Sequence, residues 1–260
     1  MKPELLEPLK GADDPSRYWS HDKDGVVGDG KAMLVPILTY RSPGPADFRF
    51  LGTGFFIAPG IVATAKHVIE AFEPGRFPLI FQFEQENQVS MRRVHEICVH
   101  KESDVGILRV LGEKPNHTNK CAVLTSRKPQ AGSLAFTSVV ANTKVWADGP
   151  GQSIAMNVEN FRGKVVQQFP TGRDRVMLPW PCYQVDFHLH GGGSGGPVFD
   201  AGGEVFAINC ASHTPETDIA FVTSVDMLLG CIIQNIVIEN KSYTTATIRD
   251  LVDAGIVLYT

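Results

Sequence analysis

The chain has 260 residues, 43% apolar and 20% charged, and a formal net charge of −4. That is enough chain to bury a large core without staples, and the composition excludes intrinsic disorder, fibrous repeats and a protein whose main work is neutralising nucleic-acid phosphates. The apolar runs are too short to cross a bilayer, and Glu4, Glu7, Asp13 and Asp14 stand where a secretory signal would need an apolar stretch, so a cytoplasmic protein without membrane association is expected.

Residues 1–31 are polar and show no sustained periodicity, which marks an extension outside the core. Short apolar or alternating runs then follow, each bounded by Gly, Pro, Asn or Asp: Met33–Tyr40, Phe48–Ile57, Ile61–Thr64, Leu79–Phe83, Val89–Val99 and Val105–Leu111. After a polar connector near 112–120 comes a second series: Leu134–Val140, Ile154–Val158, Lys164–Gln168, Tyr183–Phe187, Pro197–Phe199, Glu204–Cys210 and Asp218–Val222. Strand-like runs with hardly a helix between them, in a chain with 25 glycines and 17 prolines to make turns, predict an all-β protein in two halves, 32–118 and 119–223. In the remaining segment, 224–260, the period changes. Val225, Leu228, Leu229, Ile232, Ile233 and Ile236 form the stripe of an amphipathic helix behind Ser224 as N-cap; a shorter helix carrying Ile248, Leu251 and Val252 is ended by Gly255.

Cys98, Cys121, Cys182, Cys210 and Cys231 are odd in number and contain no C-x-x-C pair, so they read as reduced core residues rather than a disulfide framework or a zinc site.

The segment from His190 to Phe199 carries the strongest chemical signal. Glycines at 191, 192, 193, 195 and 196 surround Ser194, which frees the backbone to take unusual dihedrals and brings amide N–H groups close to whatever meets the hydroxyl. Two other places fit it. Gly52 to His67 reads as a hairpin of apolar strands delivering a histidine, and Ser103-Asp104-Val105-Gly106-Ile107-Leu108 puts a carboxylate at the mouth of an apolar strand. A serine nucleophile needs a base, and the base needs a carboxylate to hold its tautomer.

Thr64-Ala65-Lys66-His67, Asp104-Val105-Gly106-Ile107-Leu108 and Gly192-Gly193-Ser194-Gly195-Gly196-Pro197 resemble, in order, the signature segments of the chymotrypsin/trypsin-like serine proteases. The likeness is nearest to bacterial members of the high-temperature-requirement type, with counterparts also at Val185–Leu189 and Ala207–Asn209, and it covers roughly residues 32–235. It implies two antiparallel six-stranded β-barrels, chymotrypsin-like, to which the apolar stripe behind Ser224 adds a C-terminal helix. It further implies Ser194 as nucleophile, His67 as general base and acid, Asp104 as the carboxylate that orients the imidazole, and the N–H groups of Gly192 and Ser194 as the oxyanion hole. Gly193 replaces the aspartate that pairs with a freshly cut N-terminus in digestive members, so activation by trimming is not expected. Val68 replaces the cysteine after the histidine, and a hydroxyl residue that often supports the carboxylate aligns with Cys210, a weaker donor. His188 stands where an aspartate reads basic residues in trypsin-like members, which argues against cleavage after Lys or Arg.

His188 and His190 lie on one face of a strand, within reach of His213, but lack the carboxylate or cysteine that would complete a metal site; no cofactor or metal is expected. They read instead as bordering a substrate pocket with Asn209, Cys210, Ala211 and Ser212, the last three as a strand against which an extended peptide pairs. His95 and His100 read as solvated. A protein or peptide substrate is the expected partner, with a regulatory protein as a further candidate acting through 1–31 or 240–260. Gly192-x-Ser194-x-Gly196 also meets the α/β-hydrolase pattern, but that elbow runs from strand into helix and takes its acid and base from later in the chain. The other alternative is a catalytically silent peptide- or protein-binding module on the same fold.

Overall fold

The computed structural model describes residues 19–21, 27–41, 47–83, 89–110, 121–148, 151–187, 189, 191–212, 219–238 and 241–260. Within the stretch read as an extension, β1 (Trp19–His21) and β2 (Val27–Asp29) form a small antiparallel ladder. The first half supplies β3 (Leu34–Tyr40), β4 (Arg49–Ala58), β5 (Ile61–Thr64), the one-turn helix α1 (Lys66–Glu70), β6 (Phe77–Phe83), β7 (Val89–Val99) and β8 (Gly106–Val110). These strands close in the order β3-β4-β5-β8-β7-β6, with β3 pairing β6 through Ile37 and Ile80.

The second half supplies β9 (Leu134–Asp148), β10 (Gly151–Phe169), β11 (Cys182–Val185), β12 (Pro197–Phe199), β13 (Val205–Ser212) and β14 (Ala220–Ser224), closed in the order β10-β11-β14-β13-β12-β9. Two antiparallel six-stranded barrels are therefore present, as expected. The runs Ile154–Val158 and Lys164–Gln168 turn out to be one strand, paired with β9 from Gly151↔Asp148 to Lys164↔Leu134. Gly163 between them is no turn. A Cβ there would collide with Asp186, whose N–H donates to Lys164 O at 3.1 Å, so this glycine permits a close backbone approach.

Alternation along each strand sorts side chains between two environments. Val35, Ile37, Phe56, Val62, Ile80 and Leu108 fill the first barrel, and Ala135, Val165, Tyr183, Val198, Phe206 and Val222 the second. Neighbours of opposite phase, such as Phe55 and Ile57, join Phe136, Phe199 and Val205 in a core shared by both barrels. That shared core fixes the two barrels against each other and so sets the groove between them.

The C-terminal segment departs from expectation. The stripe predicted to be one helix up to Ile236 is a 3-10 turn over Val225–Gly230 followed by a hairpin of β15 (Ile232–Ile238) and β16 (Lys241–Thr247). Val225, Leu228 and Leu229 are buried as a helix stripe would have them. Beyond Gly230, the chain is dense in isoleucine and valine, whose stiff χ1 favours strand, and period two takes over: Ile233 is buried while Ile232 is half exposed. The second predicted helix is present as α2 (Ile248–Asp253), held by a capping box between Thr247 and Asp250 and followed by Gly255 at φ +70°. Ile248, Leu251 and Val257 lie in the shared core, so residues 248–257 are structural rather than an appendage. Among the described residues no helix is long and apolar enough to cross a membrane.

Candidate active site

β5 ends at Thr64, and the single turn of α1 follows at once because Val68 and Ile69 have a barrel interior to fill. His67 is thereby held at the barrel rim with its side chain 44% exposed. Asp104 sits just before β8 and is buried. Its Oδ1 accepts the backbone N–H of His67 at 2.9 Å and its Oδ2 lies 2.8 Å from His67 Nδ1. A carboxylate can only accept here, so the ring donates through Nδ1, which leaves Nε2 on its open edge.

A third group completes that carboxylate. Cys210, on β13 of the other barrel, donates its thiol to Asp104 Oδ2 at 2.9 Å. Burial, with the Asp104 charge adding to it, pushes the Cys210 thiol well above the ordinary range, so it stays protonated and remains a donor.

The glycine loop is anchored from both sides. On the first barrel, the Thr53 N–H donates to Ser194 O at 2.9 Å. The Thr53 hydroxyl donates to Gly192 O at 2.8 Å, accepts from the Val140 N–H at 3.0 Å, and the Thr53 carbonyl takes the Thr64 hydroxyl at 2.7 Å. Gly52 is wedged between His67's neighbour and the serine: a Cβ there would stand 2.8 Å from Val68 Cγ2 and 2.9 Å from Ser194 O. Gly192 and Gly195 take φ of +99° and +84°, and side chains at either would strike Phe50 or the Thr53–Thr64 segment. On the second barrel, Gly195 N–H donates to Asn209 O at 2.8 Å and Asn209 N–H to Gly196 O at 2.9 Å.

That arrangement corrects the expectation for Asn209. Its side chain is fully buried, donating through Nδ2 to Thr137 Oγ1 at 2.7 Å, so it braces the serine loop from behind and does not border a substrate pocket. His188, His190 and His213 lie outside the described residues, as does the side chain of Ser212. His95 is exposed as expected, whereas His100 is partly buried and its Nδ1 lies 2.7 Å from Ser103 Oγ.

A cleft of about 800 Å³ opens beside His67, Asp104, Cys210 and Ala211. Its far wall is a loop that sequence reasoning left unassigned, with Arg173, Met177, Leu178 and Trp180 among the lining residues. Asp174 builds that loop by accepting the N–H groups of Val176 and Met177, which hold its carboxyl below the usual range. The Arg173 guanidinium stacks 4.5 Å over Phe221, and Trp180 Nε1 donates to Thr223 Oγ1 at 3.0 Å. Val176 and Met177 are left strongly exposed. The one legible hint was Asp174 four residues before Leu178, an Asx-type turn signal. Thr53 carries no sequence signal beyond its place between Gly52 and Gly54, where backbone and hydroxyl can both be used.

A sequence model of the trypsin-like peptidase domain matches residues 52–208, more than half of the chain. The chain belongs to the trypsin-like peptidase domain family. It is a serine endopeptidase by class. Among solved structures, this trypsin-like domain resembles Deg5 with a TM-score of 0.53 at 18% identity, over 76% of this chain and 85% of that one. It resembles the active form of the Rv3671c protease from M. tuberculosis with a TM-score of 0.52 at 18% identity, over 76% and 78%. The HtrA-type protease AlgW with a tripeptide gives a TM-score of 0.51 at 19% identity, over 76% of this chain and 57% of that one. At such identities the likeness is one of fold. A comparison with curated protein sequences finds no match.

Proposed function

We propose that this trypsin-like domain cleaves peptide bonds through Ser194, His67 and Asp104. Ser194 Oγ attacks the scissile carbonyl while His67 Nε2 takes its proton; the imidazolium then returns that proton to the leaving amine, and water repeats the sequence on the acyl-enzyme. Asp104 keeps the proton on Nδ1 and supports the charge that develops on the ring. The N–H groups of Gly192 and Ser194 receive the oxyanion, and loss of either donor costs about 2.7–4 kcal/mol of transition-state stabilisation. The observation that carries the reading is the wedge of Gly52 between Val68 and Ser194, which brings the serine's backbone to the residue next to the imidazole already paired with Asp104.

The substrate is an extended protein or peptide segment lying along Cys210-Ala211-Ser212, with the cleft below His67 receiving side chains before the scissile bond. AlgW, a neighbour in fold, was solved with a tripeptide, which supports this class of ligand. Five cysteines held as thiols, four of them buried, suit a reducing compartment such as the cytoplasm. Control by a protein partner through residues 1–31 remains part of the proposal and is tested by truncating them and measuring peptide turnover; unchanged turnover and unchanged partner capture remove that part.

A fluorophosphonate probe tests the reaction. Labelling of the wild type at Ser194, abolished by Ser194→Ala and by His67→Ala, is expected. Absence of labelling in the folded wild type, with or without peptide, overturns the reading in favour of a silent peptide-binding module.

A further inference from the structure

Strand β15 has β16 on one side and side chains on the other. Glu96 Oε1 accepts the Gln234 N–H at 2.6 Å, Arg109 Nη1 donates to Gln234 O, and Cys98 Sγ accepts the Ile232 N–H at 3.3 Å. Alternate residues of β7 thus take the place of a neighbouring strand, joining the first barrel to the C-terminal hairpin. The second thiol at this seam is Cys231, the residue just before Ile232, whose N–H meets Cys98 Sγ; it is buried at 1% exposure. Cys98 is only partly buried.

These two thiols differ in character. The hydrogen bond from Cys231, with the Ile232 N–H helping and burial and Glu96 opposing, brings Cys98 down to about 7. Cys231 is pushed up by the same contact and by burial. Elsewhere burial raises Cys182 to about 11 and raises Cys210 further. A thiolate is the nucleophile in sulfur chemistry, and Cys98, partly buried where Cys231 is fully buried, is the thiol of the two that a solute can reach.

We propose that Cys98 and Cys231 form a redox-active dithiol that a peroxide converts into a disulfide between the first barrel and the C-terminal segment. The Cys98 thiolate attacks one peroxide oxygen, the O–O bond breaks and hydroxide (or alkoxide, from an alkyl hydroperoxide) leaves, giving a sulfenic acid. The Cys231 thiol gives up its proton and attacks the Cys98 sulfur; the S–O bond breaks and water departs. Two thiols are oxidised by two electrons and one peroxide is reduced. A small-molecule thiol such as glutathione reverses the bond by exchange, becoming a disulfide itself. The bond lies near the proposed catalytic carboxylate. A Cβ at Gly230 would stand 3.3 Å from His100 Nε2, and His100 Nδ1 meets Ser103 beside Asp104, so the oxidised seam bears on the loop that carries the acid.

The test uses the full chain and reads a bond, so it stands independently of the protease reading. Wild type is treated with a graded series of hydrogen peroxide, alkylated under denaturing conditions and digested without reductant for mass spectrometry. One cross-linked peptide pair containing Cys98 and Cys231, lost on adding glutathione, is expected. Cys98→Ser removes the pair and leaves Cys231 open to alkylation. Cys231→Ala leaves Cys98 to proceed to sulfinic acid, and Cys121→Ser changes nothing. Should Cys231→Ala fail to fold, native-state alkylation of the wild type at neutral pH decides: Cys98 reacts first of the five thiols. Peroxide that leaves the thiols alkylatable, over-oxidises Cys98 in the wild type without a cross-link, or joins a different pair overturns the proposal.

Discussion

Cys210 donates its thiol to Asp104 Oδ2 across 2.9 Å, from a strand of the second barrel to a carboxylate on the first. The carboxylate that pairs with His67 is thus held by both barrels, and its orientation depends on their docking. A thiol is a weaker donor than a hydroxyl. Cys210→Ala is expected to lower kcat by roughly five-fold, about 1 kcal/mol, and Cys210→Ser to leave it equal or higher. Steady-state turnover of a peptide substrate checks both. Equal rates for alanine and serine would remove the thiol's supporting role.

Thr53 makes a second inter-barrel contact, to Gly192 O and Ser194 O. Thr53→Val keeps the shape but leaves Gly192 O without its donor and the Val140 N–H without its acceptor, at roughly 1–3 kcal/mol per group left unmade. Turnover is expected to fall through kcat more than KM, because the loop bearing the proposed oxyanion donors loosens, and Thr53→Ser to restore it. A loss carried by KM alone is the contrary result.

The serine loop offers an internal comparison. Gly191 has open space where a Cβ would go, so Gly191→Ala is nearly neutral for stability. Gly195 has φ +84° and would drive a Cβ into Thr64 Oγ1 and the Thr53 carbonyl, so Gly195→Ala combines about 1–2 kcal/mol of left-handed backbone cost with about 1–3 kcal/mol of overpacking. Urea midpoints of the two variants, measured beside Gly132→Ala with its φ of +89° and free space, separate the two contributions.

Arg76 is buried and donates to Thr39 Oγ1 at 2.9 Å, to Asp47 Oδ2 at 2.6 Å, and to the carbonyls of Thr39 and Asp47. The guanidinium's hydrogen bond holds the Asp47 carboxyl below the usual range. A lowered folded-state value means stability that is present above the ordinary aspartate pKa of about 4 and is lost as pH falls through the lowered value. The difference in melting temperature between wild type and Asp47→Asn is accordingly present at pH 6 and vanishes in acid. A difference that grows on acidification contradicts it.

Much of this protein was legible in the chain itself. Ile61–Thr64, Val89–Val99 and Pro197–Phe199 have the bounds their hydrophobic patterns predicted, because alternation against one apolar interior is a local property. The short helix carrying Ile248, Leu251 and Val252 was local too. Gly163 misled because a glycine signals either a turn or a close approach, and only Asp186 distinguishes them. The stripe up to Ile236 misled because a few apolar positions satisfy both periods until a neighbour is in place; here the neighbour is β7, offering Glu96 and Cys98 to the edge of β15.

Sequence alone therefore determined the all-β class and most of the barrel strands, the chain order of His67, Asp104 and Ser194, and the residue types able to perform acyl transfer. Tertiary structure alone decided that Cys210 reaches Asp104, that Thr53 clamps Gly192 and Ser194, that Asn209 is buried behind the loop, and that Cys98 meets the N–H of Ile232. Each of those contacts joins residues far apart in the chain, and their meeting depends on strand register and barrel docking, which no local pattern encodes.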